Sequence, residues 1–391
     1  MLMRLIFLIH LMVWLSLTPG PSWSNEIAAP PILHMQPGLL PVDNDLLVAL
    51  PQTEKATHYR VFKAIEHQAQ YNHGAVLFHF NDQLYCQWQT SKRDEDSPDT
   101  HVLYSVSDDG QQWQPPRALA PTRDDAIVTS GGWWSDGSTL VAFINVWPKH
   151  LSPKAGHTEY AISGDGLNWS PFKPVTDATG KPLRGIIEQD LKALPSGRIL
   201  TAFHRQPGLI ATPYFTNDPR AVSGWRAGKF NNLPYDGNIS RELEPSWFHK
   251  PGGEIVMTFR DQAGSFKILA AQSQDNGVSW TSAQVTNVPD SRAKQSAGNL
   301  PDGTAYIVNN PTGNKNRLPL IILLSRDGEE FNRAMVLRGK NQLPPMRFAG
   351  KYKRVGYSYP KSYVWNNALW VSYAVNKEDI AVTRLALGPT P

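Results

Sequence analysis

The chain has 391 residues, with 38 Lys and Arg against 34 Asp and Glu and a formal net charge of +4 at pH 7. Only 18% of residues are charged and no run of Lys or Arg occurs, which excludes a nucleic-acid footprint. The 29 Gly, 32 Pro, 13 Trp and 13 Tyr describe a turn-rich all-β chain, and a single cysteine, Cys86, excludes an intrachain disulfide.

The first element is a leader. Arg4 precedes an apolar run at residues 5–17, and Ser22-Trp23-Ser24 is a small-x-small cleavage pattern before Asn25. The run is shorter than the roughly 20 apolar residues that span a bilayer. Residues 1–24 therefore read as a cleaved signal peptide, and the mature chain as secreted or periplasmic, monomeric and free of the membrane. Residues 25–58 read as an N-terminal extension and 59–391 as one domain.

Two repeats then run along the chain. The first is fullest at Ser273-Gln274-Asp275-Asn276-Gly277-Val278-Ser279-Trp280, with shorter copies at Ser107-Asp108-Asp109-Gly110 to Trp113, Ser163-Gly164-Asp165-Gly166 to Trp169 and Ser325-Arg326-Asp327-Gly328 to Phe331. The four Asp are 56, 110 and 52 residues apart, a period of about 55 with one copy skipped. A degraded copy at Asn217-Asp218 to Trp225 fills the gap. The pattern suits a hairpin staple: Asp accepts turn N–H groups, Gly takes a positive φ, and the aromatic ring packs back on the sheet.

The second repeat is a polar or aromatic residue that opens a strand, a turn about eight residues on, and an apolar strand. Its copies begin near His73, Gly132, Glu188-Gln189, Glu244, Gln295 and Tyr359. Six copies predict a six-bladed β-propeller. The innermost strands of a propeller line its axis, so these residues should converge on one mouth.

The staple pattern resembles the Asp box of the sialidase (neuraminidase) superfamily, whose members are six-bladed BNR-repeat propellers, and the likeness extends over nearly the whole mature chain. It implies a sialidase-like, carbohydrate-binding fold. Glu244-Pro245-Ser246-Trp247-Phe248 with Val256-Met257-Thr258-Phe259-Arg260 resembles the family's Glu strand and second triad arginine. Asn309-Asn310-Pro311 to Arg317 resembles its third-arginine segment, and Tyr359-Pro360-Lys361-Ser362-Tyr363-Val364-Trp365 its tyrosine strand. The resemblance implies Tyr359 as nucleophile, with Tyr357 as an alternative, Glu244 as its base partner, and Arg260 and Arg317 as carboxylate ligands. In the loop 91–99 it implies Asp94 as the acid, with Asp96 and Asp99 as rivals. Gln295, Glu188 and Asn72 complete the expected substrate contacts, and no cofactor or metal site is expected.

The chain departs from the family where blade 1 opens. The family reads Y-R-I-P there and this chain reads Tyr71-Asn72-His73-Gly74, so Asn72 or His73 stands in place of the first triad arginine. One charge-assisted hydrogen bond contributes roughly 1.5 to 3 kcal/mol, so the substitution bears on which acidic sugar is bound. Three functions follow. One is an exo-acting glycoside hydrolase that removes a terminal acidic sugar with retention through Tyr359, because a carboxylate beside the anomeric centre disfavours an anionic nucleophile. The second is a propeller lyase on uronates that uses His73 as acid and base. The third is a non-catalytic glycan-binding propeller.

Overall fold

The computed structural model describes residues 30–151 and 155–388, so the expected leader lies outside the described residues. Short apolar strands alternating with Gly, Asn and Asp turns produce six antiparallel sheets, each one blade. Blade 1 consists of Tyr71–Phe80, Gln83–Ser91, His101–Ser107 and Arg117–Ala120, and blade 2 of Ala126–Ser135, Leu140–Pro148, His157–Ser163 and Lys173–Pro174. Blade 3 has a broken first strand, Gly185–Ile187 with Lys192–Ala193, followed by Ile199–Arg205, Ile210–Thr216 and Arg226–Ala227. Blade 4 is Glu242–His249, Ile255–Asp261, Lys267–Ser273 and Gln284–Pro289, and blade 5 is Ser296–Asn299, Ala305–Asn309, Leu320–Ser325 and Arg333–Arg338. Blade 6 takes Tyr357–Trp365, Ala368–Val375 and Asp379–Ala386, and its outer strand is the N-terminal Ala56–Phe62.

Six apolar clusters hold the ring together, one at each junction between successive blades. Val76, Tyr85 and Val102 of blade 1 meet Val128, Trp133 and Ala142 of blade 2. The remaining clusters join blades 2 and 3, 3 and 4, 4 and 5, and 5 and 6, and Trp88 with Trp370 and Val382 returns from blade 6 to blade 1. A blade packed on both faces needs apolar side chains on both, which is why Leu320–Ser325 is buried at every position. The segment before blade 6's outer strand packs on blades 4 and 5: Leu33, Met35 and Leu47 join Phe248 and Ile307, and His34–Met35 pairs in parallel with Glu330–Phe331.

The staple turns lie between third and fourth strands. In the first, Ser107 Oγ accepts from Gly110 N–H at 2.8 Å, Asp109 Oδ1 from Gln111 and Gln112 N–H at 2.8 and 2.9 Å, and the Trp113 indole donates to the Gly110 carbonyl at 3.0 Å. The degraded copy keeps the device: Asp218 accepts from Val222 and Ser223 N–H, and Ala221 takes the glycine's positive φ of 57°. The turn glycines press on the preceding blade, Gly110 against Trp370 and Gly166 against Tyr85.

Candidate active site at the mouth of the propeller

First strands start, and second strands end, on the face opposite the staple turns. The site is assembled from those two kinds of position. In blades 4 and 6 the first strand carries a bulge, with register shifts between Leu243 and Ser246 and between Ser358 and Lys361. At both bulges the extra residue has left-handed backbone: Glu244 at φ 53° and Tyr359 at φ 56°. A bulge re-aims one side chain out of the alternating pattern, and a non-glycine residue held there stores strain that cooperating contacts must offset. For Glu244 one such contact is its N–H, which donates to His204 Nε2 at 3.2 Å, while Nδ1 of that ring lies 3.0 Å from Glu188.

The two bulges bring Glu244 and Tyr359 together. Arg260, at the end of blade 4's second strand, donates through Nη1 to Glu244 Oε2 at 3.0 Å and to the Tyr359 hydroxyl at 3.1 Å, and through Nη2 to Gln262 at 2.7 Å. The Glu244 carboxylate lies close enough to Tyr359 for its charge to act on the phenol. Arg317 lies with its guanidinium carbon 4.9 Å from the Tyr359 ring centre, and the ammonium groups of Lys294 and Lys377 lie at 5.6 and 5.7 Å. Burial and then the Glu244 charge hold the Tyr359 phenol well above its ordinary range. Burial also pushes Glu244 upward, but Arg260 and Lys294 outweigh it and the carboxyl titrates below its usual value. The resting pair is a neutral phenol beside a carboxylate, which is the protonation state a base-assisted phenol nucleophile requires.

Other expected residues lie elsewhere. Asn72 is fully buried; its amide donates to the Ala69 and Glu378 carbonyls and accepts from the Trp88 indole, so it braces the backbone and does not face the mouth. Tyr357 is also in the core, its hydroxyl donating to the Gly339 carbonyl at 3.0 Å. Glu188 sits behind the mouth, 2.8 Å from Lys294 Nζ, and these neighbours overcome burial to hold it well below the usual carboxylate range. Gln295 is fully buried with its amide on Thr258 Oγ1 at 3.2 Å. His73 does reach the site, its ring 4.2 Å from that of Tyr359; burial, then Lys377, Arg317 and Lys294, lower its pKa strongly. It is a neutral imidazole and a weak base.

In the loop 91–99, Asp94 accepts from Lys351 N–H at 2.6 Å and Asp99 from Lys92 N–H at 2.7 Å, while Asp96 is exposed. Glu95 reaches inward to Lys377 Nζ at 2.5 Å, and its charge acts on Tyr359. Lys377 lies beside the first strand of blade 1. Its carbonyl accepts from Asn72 N–H at 3.0 Å, so it abuts the strand that would carry the first arginine, and its 3% exposed side chain turns toward Tyr359. Sequence reading passed over Lys377, Lys294 and Glu95. The available signal was topological: each follows a second strand or precedes a first strand, the two positions that face the mouth. Among the described residues, no group of three or more His, Cys, Asp or Glu is placed to hold a metal ion.

Comparisons with known proteins agree with this architecture. A family model described as the BNR repeat-like domain matches residues 82–371. No curated protein matches the chain significantly. Among solved structures, a sialidase superposes with a TM-score of 0.56 at 22% identity, over 90% of this chain and 35% of that one, so the chain spans about a third of that protein's length. A Hadza microbial sialidase gives a TM-score of 0.66 at 15% identity over 85% of this chain and 68% of that chain. The intramolecular trans-sialidase from Ruminococcus gnavus gives 0.63 at 12% identity over 85% and 99%. At such identities these likenesses establish the fold. The family match covers well over half the chain, and the chain therefore belongs to the BNR repeat-like domain family, built on the six-bladed propeller of the sialidase superfamily.

Proposed function

We propose that this protein is an exported exo-acting glycoside hydrolase that removes a terminal acidic sugar with retention through Tyr359. The observation that carries the reading is the hydrogen-bonded group of Tyr359, Glu244 and Arg260, assembled from two strained bulges in different blades. Glu244 takes the phenol proton as Tyr359 Oη attacks the anomeric carbon, and the glycosidic C–O bond breaks with a proton delivered to the leaving oxygen. The reading assigns that proton to the carboxylic-acid form of Glu95, the loop residue that reaches inward, and the step leaves it as the carboxylate that pairs with Lys377. Water then attacks the glycosyl-tyrosine, returning the proton to Tyr359 through the same groups. In this reading Arg260, Arg317 and Lys377 bind the sugar carboxylate. The low basicity of His73 weighs against its drawing an α-proton from a uronate.

Retained acidic-sugar binding with turnover reduced at least about a thousandfold in Tyr359→Phe, read by product mass on sialosides and uronides, supports this assignment. Unchanged turnover, or an unsaturated uronate product absorbing in the ultraviolet, overturns it.

A further inference from the structure

Beside Tyr359 lies a recess of which the hydrolytic reading uses only Arg260 and Arg317. Its volume is about 160 Å³, and Arg260, Ser291, Arg292, Lys315, Arg317 and Arg354 line it. Five cationic groups and one hydroxyl thus face a space into which no carboxylate projects, and neither Tyr359 nor Glu244 lines it. Like charges gathered without a counter-charge cost free energy unless an anion is bound among them. Arg260 is already compensated by Glu244 at 3.0 Å. The other four cations have no acidic partner in the recess.

Two buried donors point to a ligand. Arg317 is only 7% exposed, yet its Nε and Nη1 have no hydrogen-bond partner, and Ser291 is 1% exposed with its Oγ likewise unpartnered. The Nε atoms of Arg260 and Arg292 are buried and unpartnered too. Arg292 is held at φ 56°, an unfavourable backbone for a long side chain. Leaving several buried donors unsatisfied is costly, and guanidinium groups together with a hydroxyl match an oxyanion with several acceptor oxygens. One sugar carboxylate between Arg260 and Arg317 leaves Arg292, Lys315 and Arg354 without a role.

We infer that this recess binds a tetrahedral oxyanion, a sulfate or phosphate ester carried by the acidic glycan, in addition to the carboxylate held beside Tyr359. The assignment of the anion to a glycan rests on the hydrolase reading. The anion site itself does not, and it is measured without turnover.

The test is calorimetric titration of inorganic sulfate and of inorganic phosphate into the full chain, with ionic strength held constant by chloride. The wild type and Tyr359→Phe should bind with the same affinity, and the double variant Lys315→Ala/Arg354→Ala at least about tenfold more weakly. Both substituted residues are exposed, so the fold should survive. Absence of binding above the chloride background, or equal affinity in the double variant, overturns the site. Glycans bearing a sulfate ester, a phosphate ester or neither then compete with the bound inorganic anion. Whichever ester displaces it at lower concentration than the unsubstituted glycan identifies the source, and displacement by neither ester overturns the assignment to a glycan substituent.

Discussion

The side chains that define the mouth differ in how firmly their charge is held. Arg260 and Arg317 are permanent cations, whereas burial lowers Lys377 to about 8 despite the nearby Glu95 charge. Below that pH the ammonium is protonated and attracts a sugar carboxylate; above it the charge is lost and only the arginines remain. KM for an acidic substrate should therefore rise as pH passes about 8, and Lys377→Arg should abolish that rise, since guanidinium does not titrate there. A Lys377→Arg profile identical to wild type would remove Lys377 from carboxylate binding. Glu95→Gln tests the proposed role of Glu95 as proton donor. Its turnover of unactivated glycosides should fall at least about a hundredfold, while aryl glycosides with good leaving groups are barely affected. Equal losses on both substrates would show that Glu95 acts through Lys377 alone.

At the scale of single elements, bulges and staple turns divide the labour. The bulge in blade 1 places Gly74, at φ 64°, where blades 4 and 6 place Glu244 and Tyr359. A Cβ there would lie 2.7 Å from Ser130 Oγ, so this blade offers backbone where the others offer chemistry. Staple turns do the structural work on the opposite face. A Cβ on Gly166, at φ 72°, would fall 2.1 Å from the hydroxyl oxygen of buried Tyr85. Gly166→Ala should destabilise the fold by about 2 kcal/mol or more, read as a lower urea midpoint, through backbone strain and overpacking together. Activity of the molecules still folded should be unchanged.

For the whole molecule the decisive feature is ring closure. Ala56–Phe62 pairs with Asp379–Ala386 from the far end of the sequence, and the Val61 and Phe62 side chains enter the cluster that joins blade 6 to blade 1. Removing residues 56–62 should expose an unpaired strand edge and open that cluster. Calorimetry should then show a broadened transition at much lower temperature and concentration-dependent aggregation. A sharp, unshifted transition would mean that the ring does not depend on this strand.

What the sequence determined by itself is what short-range forces encode. A staple turn is a few consecutive residues satisfying one another, so its spacing revealed the blade period and even the degraded copy at Asn217-Asp218, while the six copies of the strand-opening pattern gave the blade number. Tyr359, Glu244, Arg260 and Arg317 stood out because each sits within a recognisable strand or segment. Only the tertiary structure decided which side chains meet across the axis. Asn72 or His73 stands at the first-arginine position in sequence, but the Asn72 amide is consumed by carbonyls at Ala69 and Glu378. The cation that reaches the Tyr359 ring beside that strand is Lys377, held by Glu95, 282 residues away. Such a meeting depends on ring closure and on the register of every blade between, and no local pattern records it.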